Sequence, residues 1–96
     1  MEDYLNHIQI IPENIRDGMV AYIEDGVVPG SFLSAVLENN LCKSFLTADY
    51  ANKPRLLDIV TYLYNYVPSL CWGSKEKVDL WCEQHGLNGR KEKKNV

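Results

Sequence analysis

The chain has 96 residues and a mass of 11.0 kDa, which suits one small domain, because a second hydrophobic core would need roughly 50 more residues. Hydrophobic residues make up 46% of the chain and charged residues 24%, a composition that excludes an intrinsically disordered protein. The net charge of −3 has the wrong sign for a domain whose whole surface holds a nucleic-acid backbone.

The charge is divided unevenly along the chain. Residues 1–52 hold eight acidic and two basic residues, whereas residues 53–96 hold five and eight. Half of the eight basic residues in 53–96 form a C-terminal run that predicts a basic tail: Arg90, Lys91, Lys93 and Lys94. The spacing of the three cysteines forms no disulfide framework, and we find neither a signal segment nor an apolar stretch of the roughly 20 residues that cross a bilayer. We therefore expect a protein of a reducing compartment without a membrane span.

Residues 1–11 combine polar side chains with scattered apolar ones and predict an N-terminal arm that packs on the domain or contributes to an interface. The first helix is predicted to begin at Pro12, because proline suits a first helical turn, and to close at Gly26 in a left-handed conformation. Its apolar residues recur at helical spacing: Ile15, Met19, Tyr22 and Ile23.

The turn Pro29–Gly30–Ser31 leads into a second, deeply buried helix with the apolar residues Phe32, Leu33, Ala35, Val36 and Leu37. Asn39 and Asn40 are predicted to interrupt it. Helical spacing then continues, either in a separate third helix or in a kinked extension that ends near Asp49, through Leu41, Cys42, Phe45 and Leu46.

Pro54 predicts the start of a fourth helix, and Pro68 stops it. Its expected apolar side holds Leu56, Leu57, Val60, Leu63, Tyr64 and Val67. Ser74 is placed to cap a fifth helix that Gly86 would end, with the apolar face Val78, Trp81 and Cys82. The sequence thus predicts an all-α bundle of four or five short helices, with an arm at residues 1–11, a single domain at 12–86 and a flexible basic tail at 87–96.

Two predicted helices follow a glycine and a serine, at Gly30–Ser31 and Gly73–Ser74. A helix start presents unpaired amides and the positive end of its dipole, so both are candidate phosphate sites; the alternative is that each serine only caps its helix. Lys75 and Lys77 add charge at the second site, and Trp72 adds a flat face on which a base can stack.

Three tyrosines alternate along the fourth helix, Tyr62, Tyr64 and Tyr66, so that successive rings point about 200 degrees apart and at least one must lie near the surface. Tyr64 and Asn65 are therefore candidate ligand contacts, and Arg55 is a candidate source of positive charge. The nearby polar residues Asp49 and Asn52 favour a helix cap, with ligand hydrogen bonding as the alternative.

Patterns typical of catalysis are absent from the sequence. It contains neither a phosphate-binding loop G-x-x-x-x-G-K-[ST] nor a dinucleotide-binding G-x-G-x-x-G. Cys82 and His85, with Cys71 as a distant third ligand, lack a fourth zinc ligand, and the two histidines lack a group that would orient a Cys–His nucleophile. We therefore predict a protein that is not an enzyme and holds no cofactor and no metal.

Four segments together resemble a group of short open reading frames common in bacteriophage genomes: PGSFLSAVLENNL (29–41), ADYAN (48–52), DIVTYLYN (58–65) and CWGSKEKV (71–78). The resemblance implies a phage protein that acts in the bacterial cytoplasm, where small accessory proteins often counter host defences, some of them as helical oligomers that sequester nucleotide-derived signals. By analogy we expect a homo-oligomer that sequesters such a molecule. The alternatives are a protein that inhibits a host defence factor and a small nucleic-acid-binding regulator.

Overall fold

The computed structural model describes residues 3–50 and 52–89. In this part of the chain there are helices and no strands, which confirms the all-α prediction. The α-helices are α1 (Asp3–Asn6), α2 (Glu13–Asp25), α3 (Ser31–Leu37), α4 (Leu41–Thr47), α5 (Leu56–Tyr66) and α6 (Lys75–Glu83). Short 3₁₀ helices lie at Ile8–Ile10, Lys53–Arg55 and Ser69–Cys71.

Helix α2 is the centre of the core and follows the sequence prediction closely. It begins immediately after Pro12, and Gly26 ends it in the left-handed conformation, at φ 66°. Its buried side chains are the four that were predicted from the helical spacing: Ile15, Met19, Tyr22 and Ile23.

The described part of the N-terminal arm packs against the same core. Tyr4 and Ile11 are buried. The Tyr62 hydroxyl donates to the Tyr4 carbonyl oxygen at 2.6 Å, and the Tyr4 hydroxyl donates to Glu24 Oε2 at 2.9 Å. The arm therefore joins α2 and α5 and is part of the folded unit.

Helices α3 and α4 are separate, which decides between the two alternatives that the sequence left open. Asn39 adopts a left-handed conformation at φ 64°, and the Asn40 side chain caps α4 by accepting a hydrogen bond from the Lys43 amide at 3.1 Å. All five predicted apolar residues of α3 are buried. The residue of α4 that is buried is Ser44, and the large apolar side chains that continue the helical spacing face solvent.

The buried face of α5 also differs from the predicted one. Ile59, Tyr62 and Leu63 are buried, while Leu57 is 77% and Tyr64 78% exposed. Since this helix carries apolar residues on several sides, the spacing of those residues does not show which side faces the core. Proline at the second position of the preceding 3₁₀ helix and the extended residue Val67 delimit the segment.

In α6 the predicted apolar residues Val78 and Trp81 are buried and Cys82 is half-buried, and the Trp81 indole N–H donates to the Tyr22 carbonyl oxygen of α2 at 3.0 Å. The helix ends at Glu83, and left-handed His85 and Gly86 follow it. Leu87, predicted to begin the tail, is 6% exposed, and residues 90–96 lie outside the described part of the chain. None of the described helices has the length and apolar character that a membrane span requires.

Candidate functional site

The predicted phosphate site at the start of α6 forms hydrogen bonds within the chain. Ser74 Oγ accepts a hydrogen bond from the Lys77 amide at 3.2 Å, so this serine is the N-cap. Gly73 lies at φ 117°, and its N–H donates to the Leu37 carbonyl oxygen at 2.7 Å. The turn therefore connects α6 to the end of α3 through Gly73. Ser74 caps α6, which is the alternative to phosphate binding that the sequence allowed.

The lysines beside this turn also have partners. Exposed Lys75 pairs with Asp79, with Nζ 3.2 Å from Oδ2, and hydrogen bonding to this carboxylate raises the pKa of Lys75. Lys77 Nζ donates to the Ser69 carbonyl oxygen at 3.2 Å. Trp72 is half-buried, and its indole N–H is buried without a hydrogen-bond partner in the described structure.

Arg55, the predicted cation for a ligand, connects the arm to α5. Its Nε lies 2.6 Å from Asp58 Oδ2, and its Nη2 donates to the Ile10 carbonyl oxygen at 2.6 Å. An arginine with two such contacts holds two segments of the chain together, and a ligand anion would have to compete with both.

The tyrosines of α5 differ in exposure, as their alternation requires. Tyr62 is buried, Tyr66 stacks on His7 with ring centroids 3.8 Å apart, and Tyr64 faces solvent. The prediction that at least one ring lies near the surface is confirmed. Beside it, exposed Asn65 donates its side-chain amide to the Thr61 carbonyl oxygen at 2.9 Å.

The other predicted helix start, Gly30–Ser31, borders a cavity of about 380 Å³. Ser31 does not cap α3, because Gly30 occupies the N-cap position and Ser31 is the first helical residue. The cavity lies between α2, α3, the end of α4 and the segment after it, and none of the described residues in its walls carries a charge. They are formed by Asn14, Ile15, Gly18, Pro29, Gly30, Ser31, Phe32, Leu33, Thr47 and Asn52.

Asn52 is the unusual polar residue in this wall. It is 4% exposed, and its Oδ1 is buried without a hydrogen-bond partner in the described structure. Its main chain is held firmly, because Asp49 accepts the Asn52 N–H through Oδ1 at 3.0 Å. A buried acceptor without a partner costs about 1–3 kcal/mol, so a group that donates to this oxygen would recover that free energy.

A second feature is an exposed apolar surface on α4 and α5, which we call the α4–α5 face. Leu41 and Val60 border one small hollow, so the two helices adjoin at this point of the surface. Lys53 Nζ lies 5.1 Å from the centroid of the Phe45 ring and covers part of one edge. The large apolar side chains of the face are Leu41, Phe45, Leu46, Leu57, Val60 and Tyr64.

The cysteines have three different environments. Burial raises the pKa of the Cys71 thiol to about 12, and its Sγ donates to the Pro68 carbonyl oxygen. Burial also raises the pKa of half-buried Cys82, whereas Cys42 is exposed on α4. Among residues 3–50 and 52–89, no three His, Cys, Asp or Glu side chains lie close enough together to hold a metal ion.

Comparison with protein-family models, with curated proteins and with solved structures gave no match to this chain.

The structure therefore brings together only part of the predicted site. Gly30 and Ser31 share the cavity wall with Asn52, which the sequence analysis noted as a cap or ligand contact, and with Asn14 and Thr47, which it missed. Asn14 and Thr47 lie on separate helices and carry no local pattern that would have indicated a shared site. Trp72, Gly73, Ser74 and Lys75 form a separate turn with its own contacts.

Proposed function

We propose that the protein binds and sequesters a nucleotide-derived small molecule, and that the cavity beside α2 and α3 receives its base. The observation that carries this proposal is Asn52, an almost fully buried amide that lines the cavity and whose oxygen has no partner within the described chain. Folded proteins pair nearly all such groups, so an unpaired one beside a hollow favours a role in binding.

The chemistry of the wall suits a neutral, flat heterocycle. Ile15, Phe32 and Leu33 provide apolar surface, while Asn14 and Asn52 provide amides. Rotation of the Asn52 amide about χ2 exchanges its oxygen and its NH₂ group, so it can accept from an exocyclic amine or donate to a ring nitrogen. A buried polar group of this kind discriminates strongly against molecules that leave it unpaired.

Sequestration needs affinity and enclosure, and no bond has to be broken. The resemblance of the four sequence segments to phage open reading frames supports an anti-defence role in the host cytoplasm, in which a host signal is removed by stoichiometric binding. The cavity size supports a ligand of this class, because binding sites for small molecules commonly measure roughly 300–1,000 Å³.

Titration calorimetry against cyclic and linear adenine nucleotides, with mass spectrometry of the recovered ligand, tests the proposal. We expect one nucleotide to bind and to be recovered intact. Asn52→Leu should weaken binding by about tenfold or more, since it removes the amide and keeps the number and branching of side-chain heavy atoms. The matched control is Asn6→Leu at an exposed asparagine of α1, which should bind as the wild type does.

Three results would contradict the proposal: no heat with any nucleotide of the panel, unchanged affinity in Asn52→Leu, or recovery of a chemically altered ligand. The stability of Asn52→Leu gives an independent measurement. Because the substitution removes an unpaired buried acceptor, we expect a melting temperature at or above that of the wild type, so lost binding would not reflect unfolding.

Inhibition of a host protein is a second candidate function, favoured by the α4–α5 face. Exposed apolar patches of this extent are typical of protein-binding surfaces. A loss of the biological effect in a variant of this face that still binds nucleotide would favour this function over sequestration.

A further inference from the structure

Helix α4 packs on the rest of the molecule through small side chains and directs its large ones outward. Ser44 is 2% and Ala48 8% exposed, and these two residues lie one turn apart. On the outer side, Leu41 is 70%, Phe45 55% and Leu46 79% exposed. An isolated helix in water gains nothing from this orientation, because the apolar area that could be buried remains hydrated.

Helix α5 continues this surface. Leu57, Val60 and Tyr64 follow one another at helical spacing on its outer side, and each is at least 42% exposed. Together with the α4 side chains they form an apolar patch on the order of several hundred Å², a size at which exposed patches are often functional. This is a large part of the roughly 800 Å² that each partner contributes to a stable interface.

The charges around the face suit a second copy of the same surface. Lys43 and Asp49 are exposed near opposite ends of α4, and neither forms an ion pair with another described residue. If two α4 helices pack antiparallel about an axis near Leu46, Lys43 of each copy lies opposite Asp49 of the other. Arg55, just before α5, and Asp58 already neutralise each other within the chain, and Lys53 lies over the Phe45 ring at the edge of the face.

We infer that a second copy of this chain covers the α4–α5 face, with the two α4 helices antiparallel about a two-fold axis near Leu46. Such an interface is self-complementary: the same apolar residues meet across the axis, and opposite charges meet on either side of it. The inference depends on the face alone and does not require the cavity to bind a nucleotide.

Sedimentation equilibrium of the full chain tests the interface. The wild type should be a dimer, and Leu46→Glu should weaken its association by about tenfold or more, because it places two carboxylates close to the axis. Leu80→Glu is the matched control: Leu80 is 62% exposed on α6, outside the face, so this variant should remain as dimeric as the wild type. Circular dichroism verifies that both variants fold.

Disulfide trapping tests the orientation. In a Cys42→Ser background, Leu46→Cys places a thiol near the axis in both copies, and oxidation should give a covalent dimer at the concentrations where the wild type associates. Leu80→Cys in the same background should not cross-link. The inference is wrong if the wild type sediments as a monomer over the whole range, which would leave the face to a different protein, or if Leu46→Glu associates as tightly as the wild type.

Discussion

The buried tyrosine hydroxyl and indole groups donate hydrogen bonds mainly to backbone carbonyl oxygens that are distant in sequence. The Tyr22 hydroxyl donates to the Cys71 carbonyl oxygen, 49 residues away in sequence, and the Tyr62 hydroxyl donates to that of Tyr4. Trp81 donates in turn to the Tyr22 carbonyl oxygen. Burial raises the pKa of both tyrosines, so they remain protonated donors at neutral pH. Against this pattern, the amide oxygen of Asn52 and the indole N–H of Trp72 are buried without a partner in the described part of the chain, and of the two only Asn52 lines the cavity.

Removing the Tyr22 hydroxyl should lower stability by about 1–2 kcal/mol, since Tyr22→Phe keeps the ring and loses one buried hydrogen bond. Urea denaturation measures the free energy of unfolding of both proteins. Tyr64→Phe is the control, because Tyr64 is 78% exposed; its free energy of unfolding should stay within about 0.5 kcal/mol of the wild type. Equal losses in the two variants would contradict a specific role of the buried bond.

The Cys71 thiol should make the protein less stable in alkali. Its pKa is about 12 in the folded protein against 9.0 ordinarily, so the folded state keeps a proton that the unfolded state loses. The contribution of this thiol to the free energy of unfolding is fully present below pH 9. It decreases as the pH rises toward 12, by up to about 1.4 kcal/mol per pH unit.

Urea denaturation between about pH 8 and 9.5, below the ordinary tyrosine pKa of about 10, measures this slope. Cys71→Ala removes the thiol and should show a flatter pH dependence than the wild type, whatever its stability at neutral pH. Cys82 contributes a slope of the same sign in both proteins, because burial raises its pKa too. Parallel profiles for wild type and variant would exclude Cys71 as a source of the alkaline loss.

At the scale of elements, capping residues define where the short helices begin. Asn40 caps α4 and Ser74 caps α6, each by accepting from the amide three residues later. Helices of 7 and 9 residues are marginal alone, so their stability depends on these caps and on packing. The side chains that α4 buries within the chain are small and its large ones are exposed, so a second copy would have a large effect on this helix.

The capping role of Ser74 predicts that Ser74→Ala lowers stability by about 1 kcal/mol. Chemical denaturation provides the measurement, and Ser69→Ala, at an exposed serine of the preceding 3₁₀ helix, provides the control. If Ser74 instead served mainly a ligand, its loss would leave the stability of the free protein unchanged.

At the scale of the whole molecule, the ends of α2 and α6 meet through two glycines. Both Gly26 and Gly86 have positive φ, and a Cβ on Gly86 would lie 2.6 Å from the Glu24 carbonyl carbon. The backbones thus approach more closely than any side chain would permit. This contact fixes α6 against α2, where Trp81 is buried.

Gly86→Ala should therefore lower the free energy of unfolding by about 2–4 kcal/mol, from the left-handed conformation and the overlap with backbone atoms. Thermal and urea unfolding measure the loss. Gly30→Ala is the control, because a Cβ there meets no atom within 4 Å; since Gly30 is the N-cap of α3, its loss should stay within about 1 kcal/mol. A mild effect at Gly86 would mean that the two helix ends can separate without cost.

The sequence alone determined the helical class, the limits of α2, the break at Asn39 and Asn40 and the cap at Ser74. These features depend on the helical period, on proline and glycine conformations and on capping, and each of these acts over a few neighbouring residues. Only the tertiary structure decided which side of α4 and α5 faces the core, since both helices carry apolar residues on more than one side. It also decided that Arg55 and the lysines near Trp72 pair within the chain and that the oxygen of Asn52 does not. Those outcomes depend on which groups distant segments bring within hydrogen-bonding distance, and local spacing carries no information about that.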